Sequence, residues 1–103
     1  MVSTAAKQIM RVNPASAVFF ECDIQAKLGP MVHKYSTVTH NAKRLTQVSK
    51  ALSIPVISTR QVPKVFLDVN DEVKAEHHDG VKQFDKSLFS MLEPPVKEHF
   101  LSL

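Results

Sequence analysis

The sequence predicts an α/β domain with a parallel sheet, and three observations carry the prediction. A short apolar run, Ala17-Val18-Phe19-Phe20, has the aromatic and β-branched character of a strand buried on both faces. From Val32 to Leu52 the apolar residues recur at three- and four-residue steps, the spacing of one helix face. A second apolar run, Ile54 to Thr59, comes at once after it. Strand, helix and strand in that order make a βαβ unit, with parallel strands and a right-handed crossover.

Residues 1–15 precede the first strand and read as a lead-in. They carry Lys7 and Arg11, no acid, and no apolar core of signal-peptide length, which disfavours secretion. A mitochondrial leader has the same basic, acid-poor character and stays open as a second reading. The first strand, Ala17 to Cys22, ends at Asp23 and then Gln25. Ligands of open α/β sheets bind at the carboxyl ends of the strands, so an acid there is a candidate for chemistry. Capping of the strand end is the competing reading of Asp23.

Gly29-Pro30 breaks the pattern, and Pro30 suits the first turn of a helix. Val32, Tyr35, Val38, Ala42, Leu45, Val48 and Leu52 are expected to face the sheet, leaving Lys34, Asn41, Lys43 and Lys50 in solvent. Pro55 stands at the start of the second strand, where no central ladder donor is lost. The polar segment Arg60 to Gly80 contains Pro63 and ends in His77-His78-Asp79-Gly80, a surface turn. Adjacent histidines do not face one way on a helix or a strand, so no metal site is expected from them. Phe84, Leu88, Phe89 and Met91 form an apolar pattern around Lys86, Glu93-Pro94-Pro95 closes it, and Val96 to Leu103 begins another helix.

Composition narrows the function. A chain of 103 residues supports one small domain, and 44% hydrophobic with 22% charged residues excludes disorder. The net charge of +3 is spread among acids rather than gathered in a stripe, so a nucleic-acid partner is not expected. No apolar run approaches membrane-span length, so no membrane partner is expected either. Two glycines are too few for a phosphate-cradling loop, and neither a nucleotide nor any other cofactor is expected. The single cysteine, Cys22, forbids an internal disulfide and suits an intracellular, cytoplasmic setting.

Taken in order, the strand ending C-D-I-Q, the helix, the segment I-P-V-I-S-T-R-Q and finally K-S-L-F-S-M resemble the amino-terminal half of an isochorismatase-like cysteine hydrolase. The resemblance is to the eukaryotic isochorismatase-domain proteins and covers Ser16 to Met91. It implies a three-layer α/β/α, Rossmann-like fold with a mostly parallel sheet of order 3-2-1-4-5-6, here as a partial domain over residues 16–103. It also implies assembly into homo-oligomers.

The family's catalytic set is an aspartate, a lysine and a cysteine, and the resemblance puts Asp23 and Lys86 in the first two roles. A thiol becomes nucleophilic on losing its proton, a carboxylate can take that proton, and an ammonium holds the carboxylate and the developing charge. Asp23 and Lys86 are therefore expected within salt-bridge reach. Gln25 and Gln61 match substrate-binding positions lining the same pocket.

Two departures stand out. Relatives read T-E-Q-Y-P-K-G-L-G after strand two, where this chain has Thr59-Arg60-Gln61-Val62-Pro63-Lys64-Val65-Phe66-Leu67. The family's nucleophilic cysteine belongs to the second half of the domain and has no counterpart here. Strand alternation turns Cys22 away from Asp23, as a buried and inert thiol. Two functions stand as expectations: a hydrolase of a small-molecule substrate, completed by a carboxyl-terminal half, or a non-catalytic binding protein that keeps half the fold.

Overall fold

The computed structural model describes residues 11–103. Most of the lead-in expected over residues 1–15 therefore lies outside the described residues. The described chain builds a three-stranded parallel sheet of order β1-β2-β3, formed by β1 (Phe19–Cys22), β2 (Val56–Gln61) and β3 (Val81–Lys86). A long helix, α1 (Tyr35–Ala51), joins β1 to β2. Two single-turn helices, α2 (Pro63–Phe66) and α3 (Asp71–Lys74), interrupt the segment before β3, and α4 (Pro94–Ser102) comes after it. The α/β class and the βαβ unit are as the sequence predicts.

β2 is central and its first four residues, Val56 to Thr59, are buried on both faces. It runs two residues beyond the apolar pattern because Arg60 and Gln61 find partners opposite them on β3. Arg60 pairs with Asp85, its register partner, at 2.7 Å, and also reaches Asp68 at 3.1 Å. The polar segment before β3 is tied down rather than loose: Gln25 and Val69 form an antiparallel bridge, and Val69 and Val73 pack with Ala42 of α1 as a small core.

Pro30 does not open the long helix. It lies in a 3-10 stretch, Ala26–Met31, and α1 begins five residues later behind Lys34, whose backbone is left-handed at φ 52°. Nor does α1 present the expected apolar stripe to the sheet. Its buried residues are Thr39, Ala42, Thr46 and Ser49, while Leu45, Val48 and Leu52 are about half exposed.

The reason lies in β1. Glu21, just past the apolar run, is buried at 1% exposure, and Phe20, expected to be buried within that run, is 39% exposed. The Glu21 carboxylate accepts hydrogen bonds from Thr46 Oγ1 at 3.1 Å and Ser58 Oγ at 2.9 Å, and contacts His77 Nε2 at 2.8 Å. A buried carboxylate costs several kcal/mol unless such donors surround it, so the hydroxyl face of α1 turns inward to meet it. The adjacent His78 ring nitrogen lies 2.9 Å from Ser49 Oγ on the same helix. The two histidine side chains thus close a polar core, while the expected turn forms just beyond them, with Asp79 and Gly80 exposed and Val81 N–H donating to His78 O at 2.9 Å. They reach different partners, as adjacent side chains must.

Candidate active site at the carboxyl end of the sheet

Register decides which side chains meet. Partners in a parallel ladder share a face, so Cys22 lies on the same face as Thr59, and Gln61 on the same face as Lys86. Asp23 comes directly after β1 with a left-handed backbone, φ 53°, which breaks the strand's alternation. Its carboxylate returns to the face of Cys22 and accepts a hydrogen bond from Thr59 Oγ1 at 2.8 Å. The second carboxylate oxygen meets Lys86 Nζ, also at 2.8 Å.

The Lys86 side chain is fully buried and that of Asp23 is 17% exposed. Three further acceptors surround the ammonium: Gln61 Oε1 at 2.6 Å and the main-chain oxygens of Leu88 and Phe89 at 2.8 and 3.1 Å. Four acceptors for three N–H donors leave the charge well compensated and fixed in place. Asp23 is the member of the pair that solvent, and hence a reacting group, can reach.

The structure gives the two glutamines different work from that expected of them. Gln25 is fully buried, and its amide bonds only to main chain: Nε2 donates to the oxygens of Gln61 (3.0 Å) and Leu67 (2.8 Å), and Oε1 accepts from Gln61 N–H at 2.6 Å. Its own main-chain oxygen accepts from Tyr35 O–H at 2.6 Å. With its amide spent on backbone, Gln25 holds the end of β2 rather than offering a polar group to a ligand. Gln61, so held, accepts from Lys86 and donates to Ser87 O at 2.9 Å. It steadies the ammonium.

Cys22 is also corrected. It is exposed, and it shares its face with Asp23 because the left-handed residue cancels the alternation. Desolvation of the sulfur, and then the Asp23 carboxylate, push the thiol above its ordinary pKa, against a smaller opposing pull from Lys86. A thiol held protonated is a poor nucleophile. Iodoacetamide at pH 7.5 should accordingly alkylate Cys22 several-fold more slowly than free cysteine, as tracked by mass spectrometry. A rate equal to or above that of free cysteine would show the thiolate to be stabilised instead.

Among the described residues no group of three or more His, Cys, Asp or Glu side chains is placed to hold a metal ion, and no helix is long and apolar enough to cross a membrane. The arrangement is a carboxylate with one oxygen held by a hydroxyl and the other by a buried ammonium, open to solvent beside a thiol. It can take a proton from a group presented to it and keep a positive charge next to the developing negative one.

The fold is similar to that of isochorismatase-like proteins. No family model matches the chain. Curated relatives do: it is 34% identical over 100 residues to a secreted isochorismatase effector, Isc1, of Phytophthora sojae, covering 95% of this chain and 48% of that protein. It is 35% identical over 95 residues to isochorismatase domain-containing protein 2 of Danio rerio, covering 92% of this chain and 47% of that one. Among solved structures it superposes on the MAR1 ribonuclease of Caenorhabditis elegans with a TM-score of 0.84 and 30% identity, over 90% of this chain and 48% of that one. A hypothetical protein from Trypanosoma cruzi gives 0.74 and 27%, over 84% and 44%. The chain is similar to the isochorismatase domain-containing proteins and spans about half the length of the curated relatives it matches.

Proposed function

We propose that this chain carries the acid and ammonium of an isochorismatase-like hydrolase site, acting on an ester, ether-like or amide bond of a small molecule. The observation that carries the reading is the contact between Asp23 and the fully buried Lys86 at the carboxyl end of the sheet. A cysteine thiol supplied by protein outside these 103 residues gives its proton to the Asp23 carboxylate. The resulting thiolate attacks the electrophilic carbon, and the proton passes from Asp23 to the leaving group as its bond breaks. For an ester or amide the product of this step is a thioester, which water then hydrolyses: Asp23 takes a proton from the water as its oxygen bonds to the acyl carbon and passes it to the departing thiolate, restoring the thiol. Lys86 holds the Asp23 carboxylate in place and faces the charge that develops on the substrate. Thr59 fixes the other oxygen, so that the carboxylate presents one orientation.

A turnover panel of small esters and amides tests the reading, with an RNA oligonucleotide added because the C. elegans neighbour is named a ribonuclease. The chain by itself should turn over none of them, since loss of the nucleophile removes the covalent step. A chimera that continues after Leu103 with the other half of the Danio rerio relative should gain turnover of at least one compound. Asp23→Asn in that chimera should then remove it by about 10²-fold or more. Activity of the unextended chain that survives Cys22→Ala would contradict the mechanism, and activity lost with that change would make Cys22 the nucleophile. A folded chimera inactive on the whole panel would overturn the hydrolase reading.

A further inference from the structure

We propose that Arg60 is a positioning residue for the candidate site: by joining Asp85 on β3 to Asp68 beyond the loop after β2, it fixes that loop and, through Gln61, the Lys86 ammonium. The inference rests on the hydrolase reading for the use of the site, and goes beyond it in assigning work to a residue that does not touch the site. Neighbouring strand residues face opposite sides of a sheet, and the register sets Arg60 against Asp85 on one face and Gln61 against Lys86 on the other. Arg60 therefore acts on Lys86 only through the main chain.

The guanidinium makes three directed bonds. Its Nε and Nη2 take the two oxygens of Asp85 at 2.7 and 3.0 Å, a bidentate pair of the strong kind. A slip of one residue between β2 and β3 would set Arg60 opposite Lys86, like charge against like, so this pair selects the register that brings Gln61 Oε1 within 2.6 Å of Lys86 Nζ. The third bond, from Nη1 to Asp68 Oδ1 at 3.1 Å, ties residue 60 to residue 68. Asp68 is held in turn by Lys74 of α3 and by Val69 N–H, and with Arg60 these keep its carboxyl below the ordinary range against the opposing effect of burial. Exposed ion pairs contribute little when isolated, but the Arg60 side chain is only 23% exposed and stands in a network with Asp85, Asp68 and Lys74.

The loop so closed is under strain. Its two bends, Val62 and Leu67, are left-handed at φ 34° and 67°, and residues other than glycine stay there only where the surroundings over-determine them. Two closures bracket the bends: Arg60 with Asp68 on the outside, and Gln25 Nε2 on the inside, donating to the main-chain oxygens of both Gln61 and Leu67. What they hold is a wall of the site. Val62 N–H donates to Lys86 O at 2.8 Å, and Val62, Pro63 and Lys64 line a cavity of about 420 Å³ with Lys86, Ser87 and Glu93. Without Arg60 the bends relax toward ordinary backbone angles, and Gln61 turns away from the ammonium with them.

Amide hydrogen exchange and heteronuclear NMR of the 103-residue chain test this. Arg60→Gln should speed exchange at Gln61, Val62 and Leu67 by about tenfold more than at Ile57 in the buried centre of the sheet, with the melt still cooperative. The Lys86 ammonium signal should be sharp in the wild type, where four acceptors hold its protons from water, and broadened by exchange in Arg60→Gln. A merely structural role for Arg60 would leave that signal alone. Asp68→Asn, which spares the fork on Asp85, should reproduce the faster exchange at Val62 and Leu67, and this readout stands if the Arg60→Gln melt is weakened. Equal acceleration at Ile57, unchanged loop exchange in both variants, or an ammonium signal as sharp in Arg60→Gln as in the wild type would each overturn the proposal. No turnover is read, so a failed substrate panel strikes the hydrolase reading alone, and these outcomes strike the role of Arg60 alone.

Discussion

Lys86→Met should destabilise the domain by about 3 to 5 kcal/mol, the cost of removing one partner from a buried ion pair. The methionine fills most of the volume, so the loss is electrostatic. Asp23 is left facing an apolar side chain, and Gln61 Oε1 and the oxygens of Leu88 and Phe89 lose their shared donor. A domain of this size is stable by about 5 to 15 kcal/mol in total, so the change removes a large part of it. Asp23→Asn should cost less, because Lys86 keeps three acceptors and Thr59 can still donate to the amide oxygen. The double variant should cost clearly less than the sum of the two singles, as coupled partners do. Urea denaturation of the four proteins measures all of this, and additive effects would mean that the two groups do not interact.

The other large effect is expected at Glu21. Glu21→Leu places an apolar side chain in a buried strand position, yet it should destabilise by about 3 kcal/mol, since unmet buried polar groups cost about 1 to 3 kcal/mol each. Ser58 and His77 lose an acceptor, whereas Thr46 retains the Ala42 carbonyl at 2.8 Å. Glu21→Gln keeps one acceptor oxygen and should fall between the two. Thermal melts at neutral pH decide it. A leucine variant as stable as the wild type would mean that the polar core is a passive feature of the packing.

Much of the fold is legible in the sequence because it rests on local periods. Apolar runs, three- and four-residue spacing and the position of Pro55 place β1, α1 and β2 in the right order, and the motif that begins at Lys86 has its lysine at the end of β3. What is not legible depends on one residue's answer to another far away. Nothing near Thr46 or Ser49 says that they will be buried while Leu45 and Val48 are not. That depends on a carboxylate 25 positions earlier in the chain and a histidine 56 positions from that carboxylate. The expected placement of Cys22 fails for a smaller reason. Alternation holds only while the backbone stays extended, and Asp23 leaves it. For Gln25 the residue type is visible and its partner is not, since an amide that satisfies a peptide looks, in sequence, like one that waits for a ligand.

Asp23 is one of several residues with side chains that occupy the left-handed region, and Val62 and Leu67 are two others close to it through Gln25 and Gln61. The glycines that would relieve such positions are elsewhere, at Gly29 and Gly80, and neither adopts a positive φ. Each left-handed non-glycine residue costs about 1 kcal/mol or more in the folded state. A glycine would remove that cost but would add backbone freedom to the unfolded chain and to the loop itself. The rim of the site is thus built from residues with few conformations to choose among. Its carboxylate is aimed by a backbone that has little conformational entropy left to lose.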